Sequence, residues 1–349
     1  MLGWLRLTQV IIVHVVGISL ALPKNFVRQF LVCVVLSIAF YGAWAAYGGV
    51  QEVWASIKSL GGAGWAIILG LSLLNYLLRF IRWDIYLRQL GNNVPLLANV
   101  SVYLAGFGFT TTPGKVGEAV RTVYLKPFKV SYVDGLAAFF VERLVDMISM
   151  IVVASLAAYA FANTRWLVGL TLVVTLAFLP LIHSQAFYRV LDSWRQKLAS
   201  ERLRAAGGHL LELMRSSAGL LRSGPLYLGL LLGLVAWFAE GYALYVVLQR
   251  LGQETPVMLV AGIYGVSVLA GAVSFVPGGL GGTELVMGSL LLLAGVDPSI
   301  AVSAVIICRL ATLWFAVAIG LVFVVGIELS GFGKKVTMQQ EAGQTGSGD

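Results

Sequence analysis

Apolar runs at 30–48, 64–83, 135–160, 166–183, 225–249 and 299–327 divide this chain, separated by short polar loops. Each is close to the ~20 residues that an α-helix needs to cross ~30 Å of hydrocarbon. None shows the strict alternation of a transmembrane barrel strand. Two further stretches, 95–126 and 254–296, are apolar but interrupted. The first contains Pro113-Gly-Lys-Val-Gly-Glu118, the second Pro277-Gly-Gly-Leu-Gly-Gly-Thr-Glu284. Pro113, Gly114, Gly117, Pro277, Gly278, Gly279 and Gly281 are helix breakers, because proline removes a backbone donor and glycine releases φ/ψ. Broken backbone at membrane depth persists only where protein or a water-filled cavity satisfies it. Each stretch therefore reads as a re-entrant hairpin with its break at the tip. The expected fold is an all-α polytopic membrane bundle of six spans and two such hairpins.

Composition agrees: 59% of residues are hydrophobic and 11% charged, and the mean hydropathy is +0.88. A soluble fold is excluded. The net charge of +8 sits in loops beside apolar runs, where it orients spans and touches anionic head groups, so no nucleic-acid partner is expected. Cys33 and Cys308 lie within apolar runs, and His14, His183 and His209 are scattered. No disulfide framework, metal site or cofactor is indicated. Residues 8–22 form a short apolar stretch after Arg6, read as a signal-like or interfacial segment.

Loop charges give a topology. Lys24 and Arg28 place the start of 30–48 in the cytoplasm. The insert 184–224, with seven arginines and lysines against Asp192, Glu201 and Glu212, is the main cytoplasmic marker. Within it, 190–215 has helical apolar spacing and is expected to lie along the inner leaflet. Working outward from that insert, 95–126 starts and ends inside, whereas 254–296 starts and ends outside. The chain then divides into an N-terminal segment 1–27, membrane residues 28–183, the insert 184–224, membrane residues 225–328 and a disordered cytoplasmic tail 329–349. Each half reads span, span, hairpin, span, in opposite orientations, an inverted-topology repeat. Weak symmetry accompanies it: Glu118 precedes Arg143 by the same interval that separates Glu284 from Arg309. The expected location is a bacterial-type inner membrane, crossed several times.

Arg79, Arg82, Glu118, Arg121, Glu142, Arg143, Asp146, Glu240, Glu284 and Arg309 all fall inside apolar stretches. A charge at the centre of a membrane helix costs roughly 2.5–3.5 kcal/mol, so these must meet one another, a polar cavity or a ligand. All but Arg79 are taken as candidate transport residues. Three plainer readings stand beside that one. The 142–146 cluster is self-complementary and could serve only to hold the bundle together. Arg82 and Arg121 could snorkel to the cytoplasmic interface. The glycines, among them Gly106, Gly108 and Gly117, could serve close helix packing. Thr110-Thr111-Thr112 is expected to cap a half-helix or to bond freed carbonyls.

The runs 113–118 with Arg121, Glu142-Arg-Leu-Val-Asp146, 277–284 and Arg309-Leu310, in that order, together resemble the transmembrane, flippase-like domain of lysylphosphatidylglycerol synthases. Arg79-x-x-Arg82-Trp83 is similar too. The resemblance covers roughly 28–328 and implies movement of a lipid between leaflets. The chain stops about 20 residues beyond the last span, so it resembles the stand-alone form, and lysyl transfer is not implied. The expected activity is a flippase for a phospholipid or polyprenyl-linked lipid. The partners are membrane lipids, with a second copy of the chain or a lipid-modifying enzyme in trans. The alternatives are a membrane enzyme or an accessory protein in the modification of lipids or lipid-linked glycans, although no catalytic motif is present.

Overall fold

The computed structural model describes residues 10–15, 18–23, 49–111, 118–160, 184–197, 217–221, 223–274 and 276–329, with isolated positions between them. Residues Val10–Val15 (β1) and Ile18–Pro23 (β2) pair antiparallel, with Val10 opposite Pro23 and Val15 opposite Ile18. The stretch read as an interfacial or signal-like segment is thus a ribbon. Its valines and isoleucines favour extended backbone. The remaining described elements are helical: α1 (Val50–Ser59), α2 (Gly61–Gln89), α3 (Leu96–Phe107), α4 (Arg121–Tyr124), α5 (Tyr132–Ser155), α6 (Gln185–Gln196), α7 (Ser223–Arg250), α8 (Val257–Val273), α9 (Gly282–Leu293), α10 (Pro298–Arg309) and α11 (Phe315–Leu329).

Three helices among the described residues are long and apolar enough to cross a bilayer: 61–89, 224–250 and the continuous 298–329. They contain the predicted spans 64–83, 225–249 and 299–327. The 24-residue α5 with the 3-10 turn Leu156–Ala160 accounts for 135–160. Spans 30–48 and 166–183 lie almost wholly outside the described residues, and the tail 330–349 does so entirely. Leu73, Leu77, Met147, Leu231 and Val322 are exposed, whereas Arg79 and Arg82 of α2 and Glu142 and Asp146 of α5 are buried. That inside-out distribution suits a lipid solvent.

Helix ends follow local chemistry. Ser131 accepts from the Asp134 N–H at the start of α5, 3.0 Å, and Asp297 accepts from Ser299 N–H ahead of Pro298, 2.9 Å, both N-caps. Hydrogen bonds from Ser299, side chain and then backbone, hold the exposed Asp297 carboxyl below its ordinary range. The amphipathic α6 occupies part of the predicted 190–215 stretch and exposes Val190 and Trp194.

The halves interlock reciprocally. Helices α2 and α7, the first described span of each, pack along one another. Helix α3 packs on α11, and α8 packs on α5, so the broken unit of each half lies against the last helix of the other. Glycine permits both contacts. A methyl group on Gly320 would collide with the backbone at Phe107 and Gly108, and a Cβ at Gly265 would lie 2.6 Å from the Ala154 nitrogen. For Gly108, at this crossing, the close-packing reading holds.

The broken units themselves differ. After the second break, α9 runs for twelve residues and packs back on α8. After the first, α4 is one turn long. Pro127 follows it in a 3-10 turn, and Lys129 takes a left-handed φ of 62°.

Two hydrophobic cores result. One gathers the C-terminal half of α2, α3, most of α5 and one side of α11. The other gathers the N-terminal part of α2, the end of α5, α7, α8, α9 and α10. Along α2 the changeover falls between Leu71 and Tyr76, and along the last long helix between Ala311 and Phe315. The buried charges lie near this boundary.

Candidate functional site

Seven charged side chains from three segments, α2, 118–121 and α5, meet in one cluster. Arg82 bonds Asp146 at 2.5 Å, and Arg79 lies 3.3 Å from the other Asp146 oxygen. Arg121 reaches Glu142 at 3.0 Å and Glu118 at 3.5 Å. Arg143 reaches Glu142 at 2.9 Å, Asp146 at 3.1 Å and Glu118 at 3.5 Å. The helical spacing of Arg143 and Asp146 on α5 puts them on one face. Neutral donors complete the carboxylates. Tyr103 donates to Glu142 (2.9 Å), Thr110 to Glu118 (3.0 Å) and the Trp237 indole to Asp146 (3.0 Å). Snorkelling is corrected for Arg82 and Arg121: each is 1% exposed, because paired carboxylates replace the water that snorkelling would seek. The Thr110 side chain likewise holds Glu118 and not a freed carbonyl.

Aromatic faces enclose the guanidiniums. Arg121 lies 4.4 Å from the Trp83 ring centre and 4.8 Å from that of Tyr103, and Arg79 lies 5.3 Å from the Trp237 ring. Planar, weakly hydrated guanidinium suits such stacking better than a compact, strongly hydrated ammonium.

The second half has a smaller cluster. Here the break is in view. Pro277–Gly279 form a 3-10 turn in which Gly278 and Gly279 both have φ 66°, and Gly281, at φ 82°, precedes α9. Only glycine holds these conformations without strain. The turn presents the Gly278 carbonyl to Arg309, which donates to it at 2.7 Å and to Glu284 at 2.7 Å. Glu284 lies in the first turn of α9, where a carboxylate complements the helix dipole. Tyr264 donates to Glu240. The first break lies outside the described residues, and with it Pro113, Gly114 and Gly117.

A cavity of about 50 Å³ separates the clusters, lined by Tyr76, Arg79, Glu118, Glu240, Tyr264 and Arg309 among others. It has room for a water molecule or two and is far below the ~300 Å³ of a ligand pocket. Beside it the last long helix loosens into a π-turn, Leu310–Trp314. Tyr76 donates to the Thr312 carbonyl inside that turn at 2.8 Å, satisfying backbone that the wider turn disturbs.

All nine charged residues singled out from sequence are placed in these two clusters. Arg79 joins them as an equal member; its charge in an apolar run was the available signal. Tyr76, Tyr103, Trp237 and Tyr264 carried no signal, since an aromatic in a membrane run is ordinary.

Residues 27–320 match the family described as the lysylphosphatidylglycerol synthase TM region. A UPF0104 membrane protein of Pyrococcus horikoshii is 23% identical over 268 residues, covering 69% of this chain and 80% of that protein. One from Methanothermobacter thermautotrophicus is 24% identical over 270 residues, covering 69% and 78%. With the family match spanning most of the chain, this is an integral membrane protein that belongs to the lysylphosphatidylglycerol synthase transmembrane-region family.

Proposed function

We propose that this protein moves a lipid between leaflets as a multi-pass protein of a cell (inner) membrane, with its two broken units acting as re-entrant hairpins from opposite faces. The observation that carries this reading is the charged layer: ten charged side chains from both halves, nine of them buried, gather near the boundary of two apolar cores, and four of them, Arg79, Glu118, Glu240 and Arg309, line one small cavity. Stability alone is a poor reason for it, since a buried ion pair is often no better than a packed apolar pair. Intramembrane charges of this kind mark substrate paths. The cavity is too small for a head group in this conformation, so loading one requires the clusters to part. Arg82, Arg121, Arg143 and Arg309 would then exchange carboxylate partners for lipid phosphate, which guanidinium binds in the same forked geometry. Glu118 and Glu284 would hold those arginines in the empty state. The acyl chains stay in the bilayer.

The test is reconstitution in liposomes with head-group-labelled lipids and a membrane-impermeant quencher. Wild-type protein is expected to expose inner-leaflet label faster than empty liposomes, and a Glu118→Ala, Glu284→Ala variant to lose that gain. Equal rates for the two proteins would sink the reading. Appearance of a chemically new lipid would favour a membrane enzyme.

A further inference from the structure

Polar side chains form one stripe on α2. Asn75, Arg79, Arg82 and Tyr86 follow one another at intervals of four, three and four residues, and all are buried. That spacing places them on a single helix face. At a rise of 1.5 Å per residue the stripe covers about 16 Å. It runs from the level of the cavity, which Arg79 lines, to the end of α2 that the loop charges assign to the cytoplasm.

Helix α7 covers the stripe, running antiparallel to it. Asn75 donates to the Ala236 carbonyl at 2.9 Å. A Cβ on Gly233 would lie 2.5 Å from the Ser149 hydroxyl oxygen and 2.9 Å from Nη1 of Arg82. One on Gly229 would collide with the Tyr86 hydroxyl. Glycine is what lets α7 close on these groups.

The groups beneath those two glycines have no partners. Nε and Nη1 of Arg82, the Tyr86 hydroxyl and the Ser149 hydroxyl are buried without a hydrogen bond. Their counterparts elsewhere are bonded. Tyr76, Tyr103, Tyr124 and Tyr264 each donate to a carbonyl or a carboxylate. Ser72, Ser267 and Ser303 each donate to the carbonyl four residues back along the helix; Ser149 does not. Burying donors without an acceptor is costly, and one acceptor shared by Arg82, Tyr86 and Ser149 would recover that cost. A guanidinium can only donate, and it favours an ionised acceptor.

We propose that the α2–α7 seam binds a phosphate oxyanion through Arg82, Tyr86 and Ser149 once α7 draws away from α2, and that a phospholipid supplies it on the way between the cytoplasmic end and the cavity. This rests on the translocase reading and adds a path to that same site.

The experiment titrates the detergent-purified full chain calorimetrically with short-chain phosphatidylglycerol and, separately, with inorganic phosphate. Movement of head-group-labelled phosphatidylglycerol is followed in proteoliposomes. Tyr86→Phe and Ser149→Ala should each weaken lipid binding roughly tenfold, the loss of one hydrogen bond to a charged group, and slow lipid movement. Lipid-free thermal midpoints of both variants should equal or exceed that of wild type, because an unbonded hydroxyl has no bond to lose. Lowered midpoints in both would mean that the hydroxyls bond within the protein, and would overturn the proposal. No binding of either probe by wild type would overturn it as well. Inorganic phosphate bound as tightly as the lipid, with the same losses in the variants, would support the oxyanion site and reject a lipid as its source. Unchanged affinity and normal movement in the variants would overturn the seam while leaving translocation standing. Weakened affinity in the variants without movement by wild type would support the seam and defeat translocation.

Discussion

Arg309 donates to Glu284 at 2.7 Å across 25 residues of sequence, and Arg143 lies 3.5 Å from Glu118 at the same separation. Each pair joins the segment just past a helix break to the helix that follows, once in each half. In both halves a carboxylate that follows a Pro-Gly motif in sequence thus meets a guanidinium one element later.

Removing one partner should show how firmly that joint holds. Arg309→Met leaves Glu284 buried without its guanidinium, and breaking a buried pair in this way costs about 3–5 kcal/mol. Arg309→Met with Glu284→Met should recover much of the loss. Unfolding of the detergent-solubilised variants, followed by tryptophan fluorescence, checks the cycle.

Helix contact is the next target. Gly320→Ala should destabilise by about 1–3 kcal/mol through overpacking, because its methyl would strike the backbone at Gly108. Gly326→Ala, on the same helix with nothing within 4 Å of the new methyl, should be neutral or stabilise by up to about 1 kcal/mol. Thermal midpoints of the two variants give the comparison.

Tyr76→Phe removes the hydroxyl that bonds Thr312 O and keeps the ring. The expected stability loss is about 0.5–1.5 kcal/mol. Hydrogen exchange should accelerate at 310–314 while the flanking turns of α10 stay protected.

The inverted arrangement predicts labelling from opposite sides. With Cys33 and Cys308 replaced by alanine, Lys129→Cys should react with an impermeant maleimide only from the cytoplasmic face. Gln253→Cys should react only from the outside. Labelling of both from one side would contradict the topology read from loop charges.

Much of this was legible in the chain because the membrane makes charge conspicuous. A lone Arg143 or Glu240 in an apolar run demands a partner, and the shared separation of Glu118–Arg143 and Glu284–Arg309 pointed to the pairs made by the two arginines, though not to Tyr264 as the partner of Glu240. Glycines at 278, 279 and 281 announced the second break, since left-handed backbone has few other occupants. What stayed hidden has no one-residue signature. Trp83 and Tyr103 enclose Arg121 only because α2, α3 and α4 converge, and the π-turn at 310–314 is met by a hydroxyl from α2. The ribbon at 10–23 was masked by its brevity: a short apolar run reads alike as helix or strand until β-branching is weighed. The single turn of α4 likewise broke a symmetry that the two motifs suggested.

Glu142 lies within 4 Å of four guanidiniums, at 3.5, 3.9, 3.0 and 2.9 Å from Arg79, Arg82, Arg121 and Arg143. Attraction shared in this way belongs to no single pair. Were the proposed translocation to move α5 against α2 or α4, Glu142 would pass from one arginine to the next without ever standing alone in a dry interior. Such redundancy flattens the path between conformations, because each contact released is replaced by a neighbour of the same charge. On the translocase reading the layer would work as a lubricated joint, paired at every position and committed to none.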